Sequence, residues 1–428
     1  MNKVILAVDI GTSSLKASLI DMTGTVLSDA RCRFPSGKRM AKDWLDAFAD
    51  ALRILAPPPD LGALVISGNG PTLVSVGKKD EPLALLLWND PINIGHGKTA
   101  QAGKGSVAGE SPENPSIFIP RLKAFRDQNP EGYENAKWIF SGPEYLIYCL
   151  TGNAVTILPE SRFERAYWTR KDLEAVSLDG SKLPPFVFPA SINGVTDGRF
   201  PFLSAGVPVI AGGPDFIVAL IGTGALEAGK ACDRAGTSEG LNVCVSTAFR
   251  YPQIRTLPSV MDGLWNASYL LSETGAMFHR YRKESGQTGR SYPDLMKEIE
   301  ESPIFPLTGE ALHPGRAVVE KIGFSVRTGI EVLRKATGIS PVFYLSGGQA
   351  RNEIWNQLKA DITGSVFALT ATPDGELMGD AVIGFTALGE YASLKEAARQ
   401  MVHIKRIYEP DPEKHVYYSE KFALYENL

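Results

Sequence analysis

The chain opens with an apolar run, Val4 to Val8, that stops at an acid, Asp9. A Gly-Thr-Ser-Ser turn follows, and a second apolar stretch, LKASLID, resumes. A near-continuous apolar run predicts a central strand covered on both faces. The imperfect alternation of Leu15, Ala17 and Leu19 with Lys16, Ser18 and Ile20 predicts a second strand, MTGT (22–25) a turn, and VLSDARCRF a third strand of the same meander. In AKDWLDAFADALRILA (41–56), Trp44, Phe48, Leu52 and Leu55 fall on one helical face. ALVIS (63–67) reads as a short buried strand ending in GNGPT, and TLVSV and PLALLLWND as further strands. Helices are expected around 117–128 and 142–151, then a strand and turn at PVIAGGPD (208–215), with a helix starting at FIVALIGTGAL.

A second half opens near 222. RAGTSEGLNVCVS (234–246) reads as turn and strand, AVVEKIGFSVRTGIEVLRKATG (317–338) as a long amphipathic helix, PVFYLSGGQARNEIWNQLKADITG (341–364) as strand, glycine turn and helix, and GELMGDAVIGFTALGEYASLKEAARQM as mostly helical. Strand, Gly-Thr-Ser turn, strand thus occurs twice, at 4–20 and 231–246. The expected organisation is two related α/β domains, 1–221 and 222–428. The stretch 95–116, rich in Gly, Ser and Lys, is expected to be a mobile loop.

Composition narrows the partners. With 428 residues the chain is long enough for two or three domains, and 44% hydrophobic with 21% charged residues is ordinary for a globular core. A net charge of −4 offers no basic face for nucleic acid. Four scattered cysteines without a CxxC pair, and five unclustered histidines, argue against a disulfide framework and a zinc site and fit a reducing, cytoplasmic setting. No signal peptide is visible. In the longest apolar stretch, 207–226, Asp215 and several glycines argue against a membrane span.

The chemistry lies in the turns. Glycines and small hydroxyl residues let successive backbone NH groups converge on an anion, and DIGTSS and RAGTSEG both have that composition. An acid beside such a turn, Asp9, can hold Mg²⁺, which bridges phosphate oxygens; the bland alternative is a polar turn capped by Asp. In LSGGQARN, Gly347 and Gly348 let a flat group approach the backbone, with Asn352 in the first turn of the next helix; the alternative is a ligand-free strand-to-helix turn. Asp215 is either a helix cap or a base for a substrate hydroxyl. GHGKT (95–99) and GALEAGKA (224–231) fail as P-loops, the first lacking its leading glycine and the second its Ser/Thr. The tryptophans at 44, 88, 168, 265 and 355 are read as core or pocket walls rather than a nucleic-acid platform.

The ordered series ILAVDIGTSSLKASLID, ISG…LLLWND, AKWIFSGPEYLIYCLTGNAVT, PVIAGGPD, DRAGTSEG, YLSGGQARNEIWNQLKADITG and GDAVIGFTALGEY resembles the FGGY family of carbohydrate kinases from end to end. The resemblance implies an α/β fold of two actin-like ATPase (ribonuclease H-like) domains flanking a central cleft. It also implies transfer of the γ-phosphate of ATP to a sugar or polyol hydroxyl with Mg²⁺, a pentulose such as xylulose being favoured. By that resemblance Asp9 would hold Mg²⁺, and Gly11, Thr12, Ser13 and Lys16 would line the phosphate path. Gly236 and Thr237 would form a second phosphate motif, Gly348 and Asn352 an adenosine motif. Trp88 and Asp90 would face the sugar, and Asp215 would bind the substrate hydroxyl as catalytic base. The chain departs from the family on the sugar side. SGNGPT (67–72) stands where many xylulose-type members read SGQMHG, which puts Asn69 and Thr72 forward as replacement sugar contacts. The usual arginine after WxD is missing, and the loop within PLTGEALHPGRAVVEKIGF (306–324) is abbreviated. The competing readings are an actin-like nucleotide-switch ATPase and a degenerate kinase acting as a sensor. Partners reduce to a small sugar or polyol, with no nucleic acid and no membrane, and a homodimer is left open.

Overall fold

The computed structural model describes residues 3–37, 39–93, 99–100, 116–302 and 313–425. The loop expected at 95–116 and the abbreviated 306–312 segment lie almost wholly outside the described residues. The chain forms two compact units: Met1–Gly224 with Gly375–Val402, and Ala225–Asp374 with His403–Leu428. The expected division is a single one, at 221/222; here the first unit runs to Gly224 and also takes in Gly375–Val402.

The first unit is built on strands β1 (Val4–Ile10), β2 (Ser14–Asp21), β3 (Val26–Arg33), β4 (Ala63–Gly68), β5 (Leu73–Val76), β6 (Pro82–Leu86), β7 (Trp138–Phe140), β8 (Ile192–Val195) and β9 (Pro208–Pro214). A six-stranded sheet runs β8-β9-β4-β1-β2-β3, and β6-β5-β7 form a smaller one. The predicted meander is antiparallel, and β4 and β9 add parallel to it. Leu6, Val8 and Ile10 are fully buried, as the continuous apolar run requires. Trp44, Phe48 and Leu52 of the helix Lys42–Leu55 also reach 1% exposure or less. Each such side chain contributes roughly 1.5–3 kcal/mol.

The helix Gly375–Ala387 completes this unit by lying against the helix Asp215–Gly222. Their backbones touch: a Cβ on Gly379 would sit 2.0 Å from the Val218 carbonyl oxygen. Only glycine permits that approach.

The second unit holds β10 (Ala231–Ala235), β11 (Glu239–Val245), β12 (Arg255–Pro258), β13 (Trp265–Leu271), β14 (Phe343–Ser346), β15 (Phe367–Thr370) and β16 (Ile404–Tyr408), ordered β12-β13-β11-β10-β14-β15-β16. Here too an antiparallel meander, β10-β11-β13, is extended by parallel strands, β14 and β15. The recurrence read from two turns is thus a recurrence of topology. The amphipathic helix expected at 317–338 is Pro314–Thr337. Among the described residues no helix is long and apolar enough to cross a membrane; the 207–226 stretch divides into β9 and the Asp215 helix.

One buried acid of the first unit fixes a pH dependence. Glu144, in the helix Gly142–Thr151, accepts from the Ile157 amide at 2.9 Å and is 5% exposed. Burial pushes its carboxyl up to about 7, against the pull of the backbone amides. The folded protein therefore binds this proton more tightly than the unfolded chain. The associated stability is present below the unfolded value of about 4.3 and is lost as pH rises through about 7. Glu144→Gln, neutral throughout, should nearly match the wild type at pH 4.5 and exceed it by about 3–4 kcal/mol at pH 8. Equal pH slopes for the two proteins in denaturant unfolding would refute this.

Candidate functional site

In the first unit, β1 hands over to β2 through Gly11, Thr12 and Ser13. The Gly11 amide donates to the Ser14 carbonyl at 3.0 Å, which closes the turn, and Thr12 and Ser13 are exposed. Hairpin register sets Asp9 opposite Lys16, and the parallel register with β4 sets it beside Ser67. Asp9 is 1% exposed, and Lys16 Nζ lies 3.1 Å from its Oδ2. The first helical turn of Gly375–Ala387 brings Glu376 3.7 Å from the same ammonium. One turn on, Asp380 accepts from Ser67 Oγ at 2.7 Å. Burial, reinforced by the charges of Asp9 and Glu376, holds the Asp380 carboxyl well above the usual carboxylate range, with Ser67 and Lys16 opposing. One lysine thus serves a buried group of three acids.

Asp215 begins its helix directly after β9. Pro214 occupies the capping position and supplies no side-chain cap, so Asp215 is the first helical residue rather than the cap. It is partly exposed, at the end where a helix favours negative charge. β9 carries a register shift between Ala211 and Gly213. Such bulges re-aim the residues that follow. Gly212 has no room for a side chain, since a Cβ there would meet Asp380 Oδ1 at 2.5 Å, and Gly213 holds φ +155°. The glycines of AGGPD are therefore required to present Asp215.

The expected sugar-side residues form one hydrogen-bonded chain. The Asn69 amide donates to the Ile10 carbonyl at 2.9 Å. Thr72 Oγ1 donates to Asn69 Oδ1 at 3.1 Å and accepts from the Trp88 amide at 3.0 Å. Asp90 Oδ2 accepts from the Leu87 amide at 2.8 Å, and Trp88 Nε1 donates to Thr12 Oγ1 at 2.9 Å. The 88–90 turn is thereby bonded to the 11–13 turn. Thr72 is fully buried with its hydroxyl engaged on both sides; its place is behind the surface, holding Asn69 and Trp88. Asn69 is 6% exposed, while Trp88 and Asp90 are half-buried.

In the second unit Gly236 and Thr237 form the tip between β10 and β11. The Gly236 amide donates to the Ser238 carbonyl at 2.8 Å. Gln349 Nε2 donates to the Gly236 carbonyl at 2.7 Å, and the Ala276 amide to the Thr237 carbonyl at 3.1 Å. Gly347 adopts φ +91°, with the Ala235 carbonyl 2.4 Å from where its Cβ would be. Gly348 faces open space. Asn352 differs from expectation: it caps the helix Glu353–Thr363 from the position before it, accepting from the Trp355 amide at 2.9 Å, and is 6% exposed. Its side-chain oxygen is engaged in capping the start of the helix.

Two family models match the chain: the FGGY family of carbohydrate kinases, N-terminal domain, over residues 4–222, and its C-terminal domain over 302–388. The chain belongs to the FGGY family of carbohydrate kinases. It is thus an enzyme of the phosphotransferase class rather than a nucleotide switch. Among curated proteins this kinase is 24% identical to a xylulose kinase of Staphylococcus epidermidis, with 100% of the chain and 97% of that protein covered. It is 25% identical to a xylulose kinase of Escherichia coli, covering 99% and 98%. Among solved structures it resembles ligand-bound xylulose kinase from Lactobacillus acidophilus, with TM-score 0.76, 18% identity and coverage of 99% and 97%. Plasmodium falciparum glycerol kinase with ADP matches with TM-score 0.77, 15% identity and coverage of 100% and 98%. The fold is accordingly the paired actin-like, ribonuclease H-like architecture.

Against that family frame three residues stand out that the sequence did not offer. Arg121, 4% exposed in the helix Ile119–Gln128, donates to the Leu87 carbonyl and, at 3.4–3.5 Å, to the Asp90 carbonyl. Burial lowers its guanidinium to about 10 against the pull of Asp90. It braces the WND turn, where the chain lacks the arginine usual shortly after that motif. Its signal was an arginine set among Ile119, Leu122 and Phe125. Gln349 and Ala276 gave no signal, because their partners on the 236–237 turn are distant in sequence.

Proposed function

We propose that this kinase transfers the γ-phosphoryl group of ATP to a hydroxyl of a small sugar, a pentulose such as xylulose being favoured. The observation that carries this reading is the Trp88–Thr12 hydrogen bond, which joins the candidate sugar-facing turn to the candidate phosphate turn beside Asp9 and Lys16. The full-length similarity to xylulose kinases supports the choice of sugar class.

Mg²⁺ suits the donor chemistry. Among the described residues no group of three or more His, Cys, Asp or Glu is arranged to cage a metal ion. Mg²⁺ is commonly held by one or two carboxylates and substrate phosphates, and Asp9 beside an open turn is such a donor. When bound, the ion supplies charge neutralisation to phosphate oxygens. The protein's own residues do the rest. Asp215 orients the attacking alcohol and accepts its proton as the oxygen–phosphorus bond forms and the bond to the ADP oxygen breaks. The Thr12 and Ser13 hydroxyls and the Gly11 turn receive phosphoryl oxygens, and Lys16 offsets their charge. Trp88, Asp90 and Asn69 hold the sugar, with Thr72 and Arg121 bracing them from behind. Gly236, Thr237 and Gly348 are assigned to nucleotide contacts of the second unit, Asn352 to holding that loop at the helix start.

An ADP-release assay with Mg²⁺ and ATP across ketoses, aldoses and polyols tests the reading. Turnover with xylulose or a related pentulose is expected. Preference for an aldose or a polyol would overturn the sugar assignment, and absence of turnover with every acceptor would overturn the catalytic one.

A further inference from the structure

The second unit buries an ionic group that no step above uses. Lys359, on the helix Glu353–Thr363, places Nζ 2.6 Å from Asp233 Oδ2 and 2.7 Å from Glu239 Oε1. All three side chains are 1% exposed or less. The rings of Trp355 and Phe367 flank the ammonium at 5.4 and 5.7 Å. Such a group is a poor stabiliser, because well-packed apolar residues of the same volume often serve as well or better. Its location explains it. Asp233 on β10 and Glu239 on β11 stand on the two strands of the hairpin that carries Gly236 and Thr237. Lys359 belongs to the helix that follows the Gly347–Gln349 loop, and Gln349 donates to the Gly236 carbonyl. The hairpin is tied to this loop and helix twice, at its tip by Gln349 and at its base by Lys359.

We propose that Lys359, with Asp233 and Glu239, is the positioning device of the 236–237 turn, fixing the direction in which its backbone amides meet nucleotide phosphate. This rests on reading that turn as a phosphate contact. The charge state agrees. Burial, then repulsion from Glu239, pushes the Asp233 carboxyl up to about 8. Burial works against the Lys359 ammonium, but the two carboxylates outweigh it and hold it above its usual range. The raised Asp233 carboxyl favours holding a proton, which reduces the negative charge beneath an incoming phosphate.

Lys359→Met alone would strand two buried carboxylates and can fail to fold. The test therefore uses Glu239→Gln, which keeps the Lys359–Asp233 pair, and the charge-free triple variant Asp233→Asn, Glu239→Gln, Lys359→Met. Calorimetric titration with ADP should show affinity about threefold weaker in the first and about tenfold weaker in the second. The Michaelis constant for ATP should rise in parallel, while that for the sugar stays put. Lower melting temperatures with ADP affinity unchanged would reduce the group to a structural element and overturn the proposal; if the triple variant does not fold, the single variant decides alone. Thr237→Ala separates the two layers: wild-type ADP binding in that variant overturns the phosphate reading of the turn, and the proposal with it.

Discussion

Asp215→Asn should lower the turnover of sugar phosphorylation by about 10²–10⁴-fold, the usual contribution of a positioned general base. The substitution keeps the size of the side chain and removes its ability to accept a proton. The helix it opens should survive, since Pro214 takes the capping position and the remaining positions of Asp215–Gly222 are apolar or glycine. The glycine contacts with Gly375–Ala387 do not involve the Asp215 side chain. ADP affinity should stay within about twofold, because an interaction needed only in the chemical step leaves ground-state nucleotide binding alone. The measurement is kcat by coupled ADP release, with ADP titration as control. Wild-type turnover would remove Asp215 from the chemistry. A parallel collapse of ADP binding would mean that the carboxylate serves the nucleotide site instead.

The sequence made the strand–turn–strand units legible because each combines a local apolar run with a local turn, and both ends of the signal lie within 20 residues. Asp9, Thr12 and Lys16 could be placed on one hairpin for the same reason. What pairs across long separations was not legible. Glu376 and Asp380 sit four residues apart in an apolar helix, which hints at a shared buried face, but nothing local says that this face meets Asp9 and Ser67 more than 300 residues away. The return of 375–402 to the first unit depends on backbone contact between two helices, written only as glycines at 222 and 379. Asp233 beside Arg234, Glu239 just after the turn and Lys359 two residues before Asp361 look singly like ordinary polar positions. The register of β10 with β11 sets the two acids near each other, and the helix Glu353–Thr363 brings Lys359 to them. Thr72 is put forward by its position in a loop alone; that its hydroxyl holds Asn69 and Trp88 depends on contacts that no local pattern carries.

Lys16→Met carries the second large effect, on stability and activity together. Lys16 Nζ stands 3.1 Å from Asp9 and 3.7 Å from Glu376, whose side chains are 2% and 1% exposed, and its own is 16% exposed. Methionine keeps the length and apolar stem but removes the ammonium that faces Asp9 and Glu376. Breaking one partner out of a buried ion group costs about 3 kcal/mol or more. Burial already holds the neighbouring Asp380 carboxyl above the usual carboxylate range, and removing the opposing Lys16 charge raises it further, so the deficit should be largest at pH 8 and shrink towards pH 5. Activity should fall by at least about 10²-fold even where the variant is folded, since a positive charge aimed at the transferring phosphoryl group is worth that much in a water-excluded site. Lys16→Arg separates the two effects: it restores the charge and should recover most of the stability, while its longer, planar head recovers activity only in part. Unfolding curves at both pH values, read beside turnover, decide the matter. A Lys16→Met protein as stable as the wild type at pH 8 would mean that the lysine does not compensate these acids, and full turnover would mean that it does not meet the phosphate.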